Sequence, residues 1–197
     1  MQPIKSGALL YPSPAPHDWD QFEMGRFLHN IEAKYQVKFT DYEQAWAWSV
    51  ENLEEFWAEV WDHFQIITHA PYTSVLAERT MPGAKWFEGA RINFTEHILR
   101  SLTQRAEHIM VKSRSQTNGS INWSGKRLAD EIQRIQQGLL SHGIKPGDRV
   151  AGYLPNIPQT LATYYAVVGL GAIWCCVPPE MGAKATVDRI EQLAPQL

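Results

Sequence analysis

The first hundred residues carry apolar side chains at the spacing of helices. From Met24 onward these side chains recur every three or four positions, at Phe27, Leu28, Ile31 and Tyr35. This spacing places them on one face of an α-helix. A shorter helical piece is predicted at residues 42–48.

A second amphipathic helix is predicted between residues 53 and 64, where the apolar positions are rich in aromatic side chains. These positions are Leu53, Phe56, Trp57, Val60, Trp61 and Phe64. Asn52 is in position to cap this helix, and Glu55 three residues later completes a pair that resembles a capping box. An aromatic stripe of this kind can line a ligand groove, but it more often packs inside a protein. We therefore expect it to form core.

Residues 81–99 join this helical part to the rest of the chain, and a short helix is expected at about 93–102. Glu96 and His97 in that helix raise the question of acid–base chemistry. Adjacent helical side chains point about 100° apart, however, so the two are not expected to form a catalytic pair.

The second half of the chain alternates strands and helices. Two strands, 108–114 and 120–123, flank Thr117-Asn118-Gly119, and Asn-Gly favours the positive φ angles of a hairpin turn. A helix is then expected from its N-cap at Ser124 to Gly143, a residue suited to the left-handed position after a helix end.

A strand–helix–strand unit follows. The sequence KPGD at 145–148 has proline and glycine at the central positions of a type II turn. Strands are predicted at 149–155 and 172–177, with a helix at about 157–170 between them, and a last helix at about 183–193. Short joins of this kind nearly always make the two strands parallel.

The second of these strands, AIWCCV, is apolar at every position, as expected for a strand covered by helices on both faces. Cys175 and Cys176 should point to opposite faces because side chains alternate along a strand. The predicted fold class is therefore α/β. A helical segment at 1–104 is followed at 105–197 by the start of a mainly parallel sheet flanked by helices.

Composition and charge exclude several classes of function. The net charge is −3 and the basic residues are scattered, which argues against a nucleic-acid partner. No apolar run is long enough to span a membrane, and the N-terminal apolar stretch is too short for a signal peptide. Two cysteines cannot form a disulfide framework, so we expect a reducing compartment and a cytoplasmic location.

Motifs for catalysis or metal binding are not found, and the sequence predicts no catalytic residue and no metal ligand. No glycine-rich phosphate loop ends in Lys-Ser or Lys-Thr, and the seven histidines lack zinc-binding spacings. Parallel pairing does place loops 154–157 and 178–182 at one edge, where ligands bind open parallel sheets. The second loop precedes a helix N-terminus, which favours anions, whereas Glu180 opposes them. A plain strand-to-helix connection is the alternative.

Three stretches resemble a known family. They are WFEGARINFTEHIL (86–99), GIKPGDRVAGYLPNIPQTLATYYAVVGLGAIW (143–174) and DRIEQLAPQ (188–196). These stretches resemble the N-terminal part of acetoacetyl-coenzyme A synthetases, and their motifs occur in register with those of that family. Acetoacetyl-coenzyme A synthetases are members of the acyl-adenylate-forming superfamily, which includes acetyl-coenzyme A synthetase. The resemblance extends over nearly the whole chain, including its Trp-rich helical part.

The resemblance implies an ATP-dependent ligase reaction in two steps, first an acyl-adenylate and then a thioester. The complete enzyme would use ATP, magnesium, coenzyme A and a small acid, acetoacetate. The family's phosphate loop and catalytic lysine lie further along than Leu197, so the resemblance implies a truncated fold and a fragment that is inactive alone and binds no cofactor firmly. The alternative is a non-catalytic module that binds a partner protein or a complementary fragment.

The resemblance also implies one binding site within this chain. Related enzymes contact the coenzyme A nucleotide from the loop that corresponds to 178–182, so Pro179, Glu180 and Gly182 are the candidate coenzyme-binding residues. The family's usual pattern is Ser-Pro-Asp, an aromatic residue and Gly, whereas this chain has Pro178-Pro179-Glu180-Met181-Gly182. An incomplete sheet would also leave the strand at 172–177 with an unpaired edge, which predicts self-association or marginal stability.

Overall fold

The computed structural model describes residues 16–117 and 119–197, which form two compact units. Two sequence predictions lie outside the described residues. They are the N-terminal stretch tested for a signal peptide, over residues 1–15, and Asn118 in the predicted hairpin turn. In the described part of the chain, no helix is long and apolar enough to cross a membrane.

The first unit, described over 16–66 and 71–90, is mainly helical. A 3-10 turn at Pro16–Gln21 precedes α1 (Glu23–Tyr35), α2 (Tyr42–Glu51) and α3 (Leu53–His63). The antiparallel strands β1 (Ser74–Glu78) and β2 (Lys85–Glu88) complete it. Its buried core is formed by Phe27, Leu28, Ile31, Phe39 and Ala45, which confirms the apolar face predicted for α1.

The capping box predicted at the start of α3 is wrong. Asn52 does occupy the N-cap position, but its side chain makes no capping hydrogen bond there. It instead donates to the Trp48 carbonyl, 3.0 Å away, because the same residue ends α2. The side-chain cap in this region belongs to Asp41, whose Oδ1 accepts from the Gln44 amide at 2.9 Å.

The aromatic stripe of α3 is only half core, which corrects the sequence prediction. Phe56 and Val60 pack against the core, whereas Trp57 and Phe64 are 39% and 55% exposed. Trp61 stacks on Phe87 with ring centroids 4.6 Å apart. The stripe is wider than the surface that α1 and α2 cover, so its outer members remain at the surface.

Glu32 holds the turn between α1 and α2. Its side chain is only 9% exposed; it accepts from the Phe39 amide at 2.7 Å and from Lys38 Nζ at 3.0 Å. Burial raises the pKa of Glu32, but these two donors outweigh it and leave the pKa below 4.5. A carboxyl with a lowered pKa stabilises the fold above its unfolded pKa, and the stabilisation disappears as the pH falls through the folded pKa.

We therefore predict that Glu32→Gln lowers the free energy of unfolding at pH 7 by about 1 kcal/mol, since a buried charged acceptor is lost. The deficit relative to the wild type should shrink as the pH falls from the ordinary pKa of a glutamate through the lowered pKa of Glu32, where the Glu32 carboxyl itself becomes neutral. Urea unfolding at several pH values measures this. Glu88→Gln, at an exposed carboxylate of the same unit, is the control and should show no such convergence. A deficit that is constant down to pH 3 would contradict the prediction.

The second unit contains residues 67–70 and 91–197. It begins with α4 (Phe94–Gln104), the hairpin strands β3 (Ile109–Ser115) and β4 (Gly119–Ser124), and α5 (Gly125–Ser141). It continues through β5 (Arg149–Tyr153), α6 (Pro158–Gly169), β6 (Ile173–Val177) and α7 (Gly182–Leu193).

The predicted local structure of this unit is confirmed. β3 and β4 pair antiparallel, and β5 and β6 pair parallel. Gly143 follows α5 with a φ of 80°, and Gly147 has a φ of 86° in the turn closed by the Asp148 amide on the Lys145 carbonyl. The core lies between α5, α6 and β5, where Leu128, Ile132, Val150, Ala162 and Val167 are buried.

The prediction that β6 is buried on both faces is wrong. Ile173 is 50% exposed and Cys176 is exposed, although Val177 is buried. The reason is that the described part of the chain leaves Ile173 and Cys176 uncovered on the faces of the strand. β5 pairs with one edge of β6, and no other strand in the described part of the chain pairs with its second edge. The far edge of β5 is covered, since the Gln196 amide donates to the Arg149 carbonyl at 2.8 Å.

Candidate functional site

The carboxyl ends of β5 and β6 lie at one edge of the sheet, as the sequence predicted. The parallel register runs from Arg149 opposite Ile173 to Tyr153 opposite Val177. The chain leaves both strands at the same level, so loops 154–157 and 178–182 are neighbours. In open parallel sheets this edge is where ligands bind.

Two hydrogen bonds join each loop to the end of the neighbouring strand. The Leu154 amide donates to the Val177 carbonyl at 3.2 Å, directly beyond the last paired residues. The Tyr153 hydroxyl donates to the Pro179 carbonyl at 2.9 Å. Tyr153 was not predicted from the sequence as a residue of this site. Its position as the last residue of β5 could have indicated it, because the loop that follows β6 starts beside it.

The predicted site residues Pro179, Glu180 and Gly182 lie together on the surface. Pro179 and Glu180 belong to a 3-10 turn at Pro179–Met181, and Gly182 begins α7. All three residues are exposed. Gly182 has a φ of 74°, a conformation that favours glycine, and a Cβ at this position would meet no atom within 4 Å.

The charges around this turn are mixed. Glu180 and Lys184 are both exposed, one on each side of the start of α7. The first residues of α7 have no side-chain cap, while Thr186 in the next turn donates to the Gly182 carbonyl at 2.8 Å. The arrangement offers backbone groups and one lysine to a ligand, with one carboxylate opposing an anion.

The two cysteines near this edge are free. Cys175 is half-buried, whereas Cys176 is exposed and its Sγ lies 3.8 Å from the Leu154 carbonyl. In residues 16–117 and 119–197, no group of three or more His, Cys, Asp or Glu side chains could hold a metal ion.

A polar cleft of about 300 Å³ lies elsewhere in the second unit, and sequence reasoning did not predict it. At its wall, Glu96 Oε2 lies 2.7 Å from His69 Nε2, while the neighbouring His97 accepts from the Ile67 amide through Nε2 at 3.0 Å. Glu96 and His97 thus have separate partners. The Asn93 side chain lines the cleft and donates to two carbonyls at the end of α6. Helix capping therefore explains the polar character of the cleft at this position.

Comparison with known proteins identifies the family. Residues 42–98 match the family model for the acetyl-coenzyme A synthetase N-terminus, and residues 99–197 match the model for AMP-binding enzymes. The chain therefore belongs to the AMP-binding enzyme family. This confirms the α/β fold class and the acyl-adenylate-forming superfamily inferred from the sequence.

Its relatives are coenzyme A synthetases. The chain is 32% identical over 174 residues to acetoacetyl-coenzyme A synthetase of Rhizobium meliloti (strain 1021), covering 88% of this chain and 26% of that protein. It is also 32% identical over 182 residues to malonamoyl-CoA synthetase of Penicillium aethiopicum, covering 89% of this chain and 25% of that protein.

A solved structure of an acetoacetyl-CoA synthetase is also similar to this chain. Acetoacetyl-CoA synthetase from Streptomyces lividans is 33% identical, with a TM-score of 0.85 over 92% of this chain and 28% of that one. The chain thus spans about a quarter of the length of the relatives that it matches. The resemblance to acetoacetyl-coenzyme A synthetases seen in the sequence is confirmed.

Proposed function

We propose that this chain is the N-terminal portion of an ATP-dependent acetoacetate–coenzyme A ligase. The observation that carries the proposal is the similarity to the Streptomyces lividans acetoacetyl-CoA synthetase, with a TM-score of 0.85 over 92% of the chain. In this proposal, 1–104 is an N-terminal lead-in segment and 105–197 is the first α/β portion of the adenylate-forming domain. We also propose a cytoplasmic location, in keeping with two free cysteines.

The reaction has two steps. An acetoacetate carboxylate oxygen attacks the α-phosphorus of ATP, forming an acyl-adenylate and releasing pyrophosphate. The coenzyme A thiol then gives up its proton and attacks the acyl carbon, and AMP leaves. Such chemistry depends on positioning and on neutralising phosphate charge. The described residues do not form a carboxylate cluster for magnesium, so no step is assigned to a metal on this chain.

This chain would contribute a coenzyme-facing loop and no catalytic group. Pro179, Glu180 and Gly182 are exposed at the carboxyl edge of β5 and β6, and the Gly182 position leaves open space. These features support contact with the coenzyme A nucleotide. The mixed charge of the turn supports weak binding, since Glu180 in the turn and Lys184 near the start of α7 are both exposed.

The activity test compares this chain with the product of its gene read onward from the Leu197 codon. The chain alone should catalyse no acetoacetate-dependent exchange of pyrophosphate into ATP. A longer in-frame product with a glycine-rich phosphate loop should catalyse the exchange. Exchange by the pure chain would show that the catalytic groups lie within it. Unrelated sequence after Leu197 would contradict the ligase proposal and favour an interaction module.

One observation favours association as a second property of the chain. The outer edge of β6 has no strand partner in the described residues, and Ile173 on this strand is half-exposed. Unpaired apolar strand edges pair with other chains. We therefore propose that two copies associate through β6, and the Discussion gives the test.

A further inference from the structure

The Tyr153 side chain joins the end of β5 to the second loop of the candidate site. Tyr153 ends β5 and lies opposite Val177 in the parallel register. Its hydroxyl reaches across to the neighbouring loop and donates to the Pro179 carbonyl at 2.9 Å. The residue is 49% exposed, so water could hydrate this hydroxyl, yet the hydroxyl bonds to the loop.

The Pro179 carbonyl is a junction of two hydrogen bonds. It accepts from the Tyr153 hydroxyl and also from the Gly182 amide, which closes the 3-10 turn at the start of α7. The Met181 amide donates to the Pro178 carbonyl at 3.1 Å within the same turn. The backbone bonds set the shape of the turn, and the tyrosine ties that shape to β5.

This tie matters because the turn is otherwise poorly held. Pro179, Glu180 and Gly182 are exposed, so little apolar burial holds them in place. Exposed segments with few buried contacts open at low free-energy cost. A ligand that must first order such a segment binds more weakly, whereas a pre-ordered segment binds more tightly.

We propose that Tyr153 is a positioning residue that holds the Pro179–Gly182 turn in the conformation that receives the coenzyme A nucleotide. The proposal rests on the proposed function, because the ligand is the one assigned to this loop there. Tyr153 acts through the Pro179 carbonyl and needs no contact with the ligand itself. The hydroxyl, rather than the aromatic ring, is the group that matters.

Tyr153→Phe tests this, since it removes the hydroxyl and keeps the ring. Tyr164→Phe is the matched control, because Tyr164 is a half-buried tyrosine of the same unit and lies in α6, away from the turn in sequence. Amide hydrogen exchange by NMR reports the order of the turn at Met181 and Gly182. Isothermal titration with coenzyme A reports ligand affinity.

In Tyr153→Phe, we expect exchange at Met181 and Gly182 to rise about five-fold, the effect of losing one ordinary hydrogen bond. The buried Val167 amide in α6 should be unaffected, which separates a local effect from a general loss of stability. Coenzyme A affinity should fall by a similar factor. Tyr164→Phe should leave exchange at the turn and affinity unchanged.

Two results would overturn the proposal: unchanged exchange at the turn, or raised exchange with unchanged affinity. A wild-type chain that binds no coenzyme A at millimolar concentration would overturn the ligand assignment, and with it this role toward coenzyme A. The exchange comparison would still decide whether Tyr153 holds the turn. Failure of the coenzyme site and failure of the tyrosine tie are therefore distinguishable.

Discussion

Gly125→Ala should lower the free energy of unfolding by about 3 kcal/mol, the upper range for an overpacked core position. Gly125 is buried at the start of α5, where its amide donates to the His108 carbonyl at 2.9 Å. A Cβ there would lie 2.6 Å from the Arg105 carbonyl oxygen and 2.7 Å from that of Leu102. Both obstacles are backbone atoms, so α4 and α5 would have to move apart.

Gly138→Ala in the same helix is the control with the opposite sign. A Cβ at Gly138 would meet no atom within 4 Å, and the residue lies inside α5. Alanine in an open helical position is favoured over glycine by about 0.5–1 kcal/mol, so this variant should be more stable. Urea unfolding followed by far-ultraviolet circular dichroism measures both variants. A Gly125→Ala protein as stable as the wild type would refute the close helix approach.

Ile173→Lys should convert an associating chain into a monomer. Ile173 is the first residue of β6, is 50% exposed, and lies on the strand whose outer edge has no strand partner in the described residues. A lysine on an edge strand opposes pairing with another chain because its charge must remain solvated. Light scattering should give the wild type a mass above 22.5 kDa that falls on dilution, and the variant a constant 22.5 kDa.

Leu140→Lys is the matched control for this experiment. Leu140 is also an apolar residue of the second unit and is 55% exposed, but it lies in helix α5 and not on a strand edge. This variant should associate as the wild type does. Association that is lost equally in both variants would indicate a general loss of apolar surface. A wild type that stays monomeric at high micromolar concentration would contradict association through β6.

The candidate edge itself could be predicted from the sequence. Short joins around one helix required parallel strands, and parallel strands bring loops 154–157 and 178–182 together. The Tyr153–Pro179 bond could not be predicted in the same way. It joins residues 26 positions apart, and its formation depends on the register and rotation of two strands.

The two burial predictions that failed share one cause. The spacing of α3 identified its apolar positions, yet Trp57 and Phe64 are exposed. The apolar run of β6 predicted burial on both faces, yet Ile173 and Cys176 are exposed. In each case the apolar pattern was present, but the element that would cover it does not lie there in the described part of the chain.

The sequence by itself determined the helices, the glycine turns at Gly143 and Gly147, and the parallel pairing of β5 with β6. These features depend on preferences that act within a few residues or across one short connection. Only the tertiary structure decided which apolar faces are covered and which polar groups pair, as Asn52 with Trp48 and Tyr153 with Pro179 show. Burial and hydrogen-bond partners are properties of residues that meet in space, and local sequence patterns do not specify which residues meet.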